Sequence, residues 1–206
     1  MFDRQTLTLW SNLTGEAVVG PLSQSNVKLK ILPMTLTTWG AWKKEHPEST
    51  VLKPDPELEK RWGFDYKPGA ADRARAGVSF PIWLKNSAVP PKAEVYAIRL
   101  DDKPKAYSID AVLKVPIIND QIGKVPVVLI SDPNSGSIRA YHRTTFQFQS
   151  APAPHQLKDQ TGRIWKVQDD SLTSDSEKPL PRIPGHISLW FAWYGFFPQT
   201  ELYTGK

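Results

Sequence analysis

With 206 residues, 40% of them hydrophobic, and a formal net charge of +5, the chain has enough material for a real core. The absence of cysteine excludes disulfides, thiolate metal sites and cysteine nucleophiles together. The basic residues are scattered, as at Lys43, Lys44, Arg73, Arg75, Lys103 and Lys105, which excludes a nucleic-acid arm or a polybasic membrane patch.

No stretch approaches the roughly 20 apolar residues of a membrane span, and Met1 to Thr6 has no apolar signal core. The chain is therefore expected either to be cytoplasmic or to have lost a leader. Nineteen prolines predict many short elements and little helix, since proline removes a backbone donor and breaks helix interiors and central strands. Eight tryptophans, each able to bury about 150–250 Å², supply the core that so broken a chain needs.

In chain order, Phe2 to Trp10 carries Leu7 and Leu9 in alternation with Thr6 and Thr8, the pattern of a half-buried strand. Asn12 to Gly15 reads as a turn, Glu16 to Val19 as a second strand closing at Gly20-Pro21, and Val27 to Leu32 as a third. Thr37 or Thr38 can cap a short helix holding Trp39 and Trp42 on one face, and Pro47 ends it. Lys53-Pro54-Asp55-Pro56 commits the chain to a connector, polar and aromatic-punctuated, with Trp62, Phe64 and Tyr66 inside it.

Beyond the connector the alternation of Glu94 to Leu100, the turn Asp101-Asp102-Lys103 and the run Lys105 to Ser108 predict a hairpin. Ile109 to Leu113 predicts a short helix. Ile117-Ile118 and Val125 to Ile130 predict another hairpin with Asn119 to Gly123 as its loop, and the unbroken apolar run Val127 to Ile130 predicts the most buried strand. Asp132 to Gly136 is a turn, Ile138 to Tyr141 and Thr144 to Gln149 continue the sheet, and Ala151-Pro152-Ala153-Pro154 interrupts it.

The remainder repeats the opening. Gln5-Thr6-Leu7-Thr8-Leu9-Trp10 aligns with Gln160-Thr161-Gly162-Arg163-Ile164-Trp165 at an offset of 155 residues, and Trp39/Trp42 with Trp190/Trp193 at an offset of 151. A unit used twice is expected: a partial copy over 1–52, a connector over 53–78 and a complete copy over 79–206, within one compact domain. The expected fold class is α+β, predominantly antiparallel β with a few short helices and an internal pseudo-repeat.

Asp3-Arg4-Gln5-Thr6…Leu9-Trp10, Gly20-Pro21, Trp39…Trp42 and His46-Pro47-Glu48-Ser49-Thr50-Val51-Leu52 resemble the motifs of the DUF3179 family of bacterial domains of unknown function. Phe80-Pro81, Pro90-Pro91-Lys92, Ala106-Tyr107 and Val115…Asn119-Asp120 are similar to its central stretch. The resemblance implies an envelope location, periplasmic or extracellular, and a further strand-rich half with a Cys-Pro-x-Cys-Gly segment ahead of the Asp-Arg-Gln-Thr motif. Met1 is then an internal methionine, a truncation or a divergent start. The related turn here, Asp132 to Gly136, has both cysteine positions replaced, so no thiol chemistry carries over.

Searching for chemistry returns little. His46, His142, His155 and His186 lie in four segments with no His-x-x-x-His or Glu-x-x-His spacing, so no metal and no cofactor is expected. No nucleophile elbow, phosphate loop or dinucleotide fingerprint occurs, so no catalytic residue is assigned. Asp3 and Arg4 could pair, Gln5 belongs to the same motif, His46 caps a helix end, and Asn119-Asp120 sits in a loop; these six residues are the candidate ligand contacts. Leu189 to Phe197 is apolar on every side, and such a helix is buried or forms an interface.

Trp190, Phe191, Trp193, Phe196 and Phe197 are thus the candidate contacts for a protein partner or a second copy. The expected function is a non-enzymatic structural or interaction module. A ligand-binding protein or enzyme with a cleft between the repeats, or a carbohydrate-binding module, stand as alternatives.

Overall fold

A computed structural model describes residues 1–53, 55–62, 78 and 80–205. The architecture is predominantly antiparallel β with short helices. A three-stranded sheet is formed by β1 (Phe2–Asp3), β2 (Thr8–Trp10) and β3 (Ala17–Val19). The hairpin β4 (Glu94–Leu100) and β5 (Lys103–Ser108) is flanked by β14 (His186–Leu189) and β15 (Glu201–Tyr203), in the order β14-β4-β5-β15.

The eight remaining strands are β6 (Ile117–Ile122), β7 (Val125–Asp132), β8 (Ser137–His142), β9 (Phe148–Ser150), β10 (Gln156–Asp159), β11 (Ile164–Val167), β12 (Ser171–Thr173) and β13 (Leu180–Ile183). They form one sheet in the order β6-β7-β8-β13-β12-β11-β10-β9, curled into a nearly closed barrel. Among the described residues the helices are α1 (Trp39–Glu45), α2 (Pro56–Trp62), α3 (Ile109–Val112) and α4 (Trp190–Phe196). Residues 63–77 of the expected connector, with Phe64 and Tyr66, lie outside the described residues.

The β4–β5 hairpin forms because Asp101 and Asp102 accept positive φ, 46° and 60°, in a two-residue turn whose twist matches the strands. Its two faces do different work. Val95, Ala97 and Ala106 pack against Trp190, Trp193 and Phe197, whereas Tyr96, Ile98 and Tyr107 pack against Ile118, Val127, Leu129 and Ile138 of the barrel. A sheet covered on both faces needs no polar alternation. Val128, Tyr141, Phe148, Leu157, Trp165 and Leu172 fill the inside of the curl, and β7 is the strand that sequence expects to be most buried: Val127, Val128 and Leu129 have no exposed surface.

Asn119-Asp120 is not a loop. Both residues lie inside β6, and the turn falls later, at Gly123-Lys124, where Gly123 takes φ 58°. The side-chain amide of Asn119 bridges the two edge strands of the barrel: its Nδ2 donates to Phe148 O at 2.8 Å and its Oδ1 accepts from Phe148 N at 2.8 Å. One side chain thus stands in for a peptide group and satisfies an edge that would otherwise be open.

The N-terminal stretch differs from expectation in two places. Phe2 to Trp10 is a hairpin rather than one strand, because Leu7 at φ 53° turns the chain and Phe2 pairs with Leu9. Val27 to Leu32 alternates in sequence but contributes only the isolated bridge Glu16↔Lys28.

Helices α1 and α4 are locally alike. Each ends in a residue of nearly the same conformation, His46 at φ −128°, ψ 72° and Phe197 at φ −130°, ψ 70°, whose N–H donates to the carbonyl of the second tryptophan. Trp42 Nε1 donates to Ser49 Oγ at 2.8 Å, and Trp193 Nε1 to Thr200 Oγ1 at 3.0 Å. Their surroundings differ: Trp190 is 2% exposed and Trp39 is 50% exposed.

Candidate functional site

The densest group of charged side chains lies where α1 meets the barrel. The Thr38 hydroxyl caps α1 by accepting from Ala41 N, and the helix delivers Glu45 and His46 onto β8 and the β11–β12 turn. Arg139 Nη2, from β8, sits 2.9 Å from Glu45 Oε2 and 3.3 Å from Asp169 Oδ1. His46 Nε2 lies 3.2 Å from Asp169 Oδ2 while its ring stacks on Trp42 at 3.9 Å between centroids. Arg182, from β13, donates to Asp169 O and Met34 O, both at 2.8 Å, and to Thr35 Oγ1 at 2.6 Å.

Glu45, His46 and Asp169 offer ligand atoms within 4.8 Å of one another. A cation there would sit against the buried guanidinium of Arg139, which already neutralises both carboxylates. The donor set therefore fits an ion-pair clamp fastening α1 to the barrel better than a metal site. Beside it opens a cleft of about 380 Å³ bordered by Asp132, Arg139, Ser150 and His155.

The other predicted ligand contacts are dispersed. Asp3 Oδ1 accepts from Gln5 N at 2.8 Å and Oδ2 from the Thr6 hydroxyl, and these bonds, the Thr6 hydroxyl first, hold its pKa below the usual carboxylate value. Arg4 and Gln5 are exposed, and no ion pair joins Asp3 to Arg4 among the described residues. Asp120 faces the hairpin sheet. Its Oδ2 accepts from Tyr107 Oη at 2.9 Å and lies 2.8 Å from Lys105 Nζ.

Burial would raise the Asp120 carboxyl, but hydrogen bonds from Lys105, Gln121 N and Tyr107 overcome it and keep the pKa low. Burial and the Asp120 charge push the Tyr107 phenol up. Asp3, Arg4 and Gln5 therefore belong to the three-stranded sheet and Asn119 and Asp120 to the barrel. Of the six, only His46 enters the charged cluster.

Asp159 holds the β10–β11 turn by side-chain hydrogen bonds, as Asp3 holds the β1–β2 turn. Its Oδ1 accepts from Thr161 N, Thr161 Oγ1 and Arg163 N, and its Oδ2 from Trp165 Nε1 at 3.0 Å. Burial raises this carboxyl, yet the four donors outweigh it and bring the pKa to about 2.

The aromatic C-terminal segment divides into two sides. Trp190, Trp193 and Phe197 are spent in the protein's own core, against β4 and β5. Phe191 is half-buried and meets Phe80 edge to face at 5.6 Å, and Phe196 is 56% exposed. Beside them Trp83 is 92% exposed, and a groove of about 360 Å³ runs between Phe80–Leu84 and the outer face of α4. Of the five aromatic residues expected to make a contact, Phe191 and Phe196 are the two that keep exposed surface.

Sequence reasoning missed Arg139, His155, Asp169 and Arg182. One signal was available: Arg139 interrupts the apolar run Ile138 to Tyr141, and a charge inside a buried strand is retained only when it is paired.

Among the described residues no helix is long and apolar enough to cross a membrane. No curated protein and no solved structure matches the chain. The model of the family described as protein of unknown function (DUF3179) matches residues 1–200, and the chain belongs to that family.

Proposed function

We propose that this chain is a non-enzymatic contact module of the bacterial envelope or of a larger assembly, meeting a protein partner or a second copy through the outer face of α4. The observation that carries the reading is the groove beside Phe196. Phe80, Pro81, Ile82, Trp83, Leu84, Phe191, Ala192, Gly195 and Phe196 line it, and none of them can titrate. Open apolar surface without ionisable groups is the composition of an interface centre and the opposite of a catalytic site. The envelope placement rests on the family resemblance alone.

Light scattering over a concentration series tests this. Wild-type protein, alone or with its co-purifying partner, is expected to form a complex that Phe196→Asp and Trp83→Ser abolish. A monomer at every concentration, identical in both variants, contradicts the proposal. A carbohydrate-binding reading draws on the same exposed Trp83 ring; glycan-array binding lost in Trp83→Ser would favour it instead.

A further inference from the structure

Strand β8 carries a charge to the mouth of the barrel. Side chains two apart in a strand share a face, and Tyr141 packs inside the curl with Val128 and Trp165, so Arg139 stands on the same inner face. Arg139 is 9% exposed. Glu45 Oε2 and Asp169 Oδ1 both approach its Nη2, and neither Nε nor Nη1 has an acceptor among the described residues. Donors kept from water without an acceptor are costly, and a ligand that supplies the acceptor relieves that cost.

The space to hold a ligand lies against the same side chain. Arg139 lines both the cleft of about 380 Å³ and a second recess of about 240 Å³, and the two also share Glu45, His155 and Val167. Small-molecule sites have this order of size, and the mouth of a barrel is a common place for them. Ile117, Ile130, Leu157 and Val167 give the cleft an apolar wall.

The polar side of the cleft offers donors and acceptors together. His155 Nδ1 lies 3.8 Å from Glu45 Oε1, too far for a hydrogen bond, so Oε1 is left as an acceptor beside the free Arg139 donors. Ser150 and Gln156 border the cleft with a hydroxyl and an amide. The charges are already balanced, since Arg139 faces Glu45 and Asp169. A cation entering here would meet the guanidinium, and an anion the carboxylates of Glu45 and Asp132.

We infer that this cleft binds a neutral sugar of monosaccharide size, one ring hydroxyl accepting from Arg139 and its neighbour donating to Glu45, with the C–H face of the ring on Ile117, Ile130 and Leu157. A donor and an acceptor side by side are what two vicinal hydroxyls require. The site shares no residue with the groove that holds Trp83 and Phe196, so it goes beyond the contact-module reading and stands or falls apart from it.

Titration of isotope-labelled protein with the methyl glycosides of glucose, galactose, mannose and N-acetylglucosamine, followed by NMR, tests the inference. One of the four is expected to shift the Arg139 Nε–H and His155 ring signals saturably, with a Kd of about 1 mM or below. It should bind about tenfold tighter than the weakest of the four, the ratio that one lost hydrogen bond produces. Ser150→Trp fills the cleft from an exposed position outside the ion pairs and is expected to abolish binding. Arg139→Lys keeps the charge but loses the planar fork, and is expected to weaken binding about tenfold. Trp83→Ser and Phe196→Asp are expected to leave it intact.

No saturable shift with any of the four, equal affinity for all of them, or binding that survives Ser150→Trp overturns the inference. Tighter binding of acetate or methylammonium at the same signals assigns the cleft to an ion and also overturns it.

Discussion

Helices α1 and α4 have the same length, the same terminal conformation and the same indole-to-hydroxyl bond seven residues on, yet one is a core element and the other a half-exposed one. Local sequence is enough to make the turn: a tryptophan at the third position after the first, a proline after the cap and a hydroxyl to receive the indole. Burial is decided elsewhere, by whether a hairpin lies across the helix. Most helical stability in a protein comes from such packing rather than from propensity, so the two helices should differ far more in what they contribute than in how they look.

The largest expected effect follows directly. Trp193→Ala should cost about 3–5 kcal/mol, the usual loss for a large buried ring, because Trp193 has no exposed surface. Trp39→Ala should cost about 1 kcal/mol or less, since only part of the ring leaves water. Urea unfolding of the two variants measures both values, and equal costs would break the comparison.

The paired aspartates come next. Asp159→Ala leaves the buried Trp165 indole and three donors of the β10–β11 turn without an acceptor, and should cost about 3 kcal/mol. Asp3→Ala removes two bonds at a partly exposed turn and should cost about 1 kcal/mol. If Asp3→Ala proves the more damaging in the same assay, the N-terminal sheet is far more tightly held than its exposure implies.

The smallest effect is a pH dependence from two half-buried histidines. Burial lowers the pKa of His186 on β14 and of His142 on β8. A histidine with a depressed folded pKa takes its proton first in the unfolded chain, so stability is full above the unfolded value of about 6.5 and falls as pH drops below it. Thermal melts from about pH 7.5 down to about pH 5.5 should show a modest decline that His186→Gln reduces and His142→Gln reduces further.

What sequence could show was what chemistry writes locally. A threonine cap at Thr37 or Thr38 and a stop at Pro47 marked α1, which Thr38 caps, and the turn read at Asp101 to Lys103 marked the β4–β5 hairpin, because each signal acts within a few residues. The turn at Leu7 stayed hidden because no glycine advertises it. At the corresponding place between β10 and β11, Gly162 takes φ 88° and does.

Long-range partners were the harder part. Asn119 looks like a turn former until Phe148 is beside it, and Val27 to Leu32 alternates like a strand whether or not an edge is there to receive it. The charged cluster was written as isolated residues from four segments, Glu45-His46, Arg139, Asp169 and Arg182, with no spacing rule to connect them. Only the curl of the barrel brings them together.

Amide hydrogen exchange of the protein alone bears most directly on the contrast between the covered and uncovered helices. The account predicts slow exchange through β14 and β15, whose amides are paired to β4 and β5, and fast exchange at Thr35 to Thr38 and Thr50 to Leu52, which have no ladder partner among the described residues. Equal protection of the two sets would contradict it, since the segments beside α1 would then already be covered.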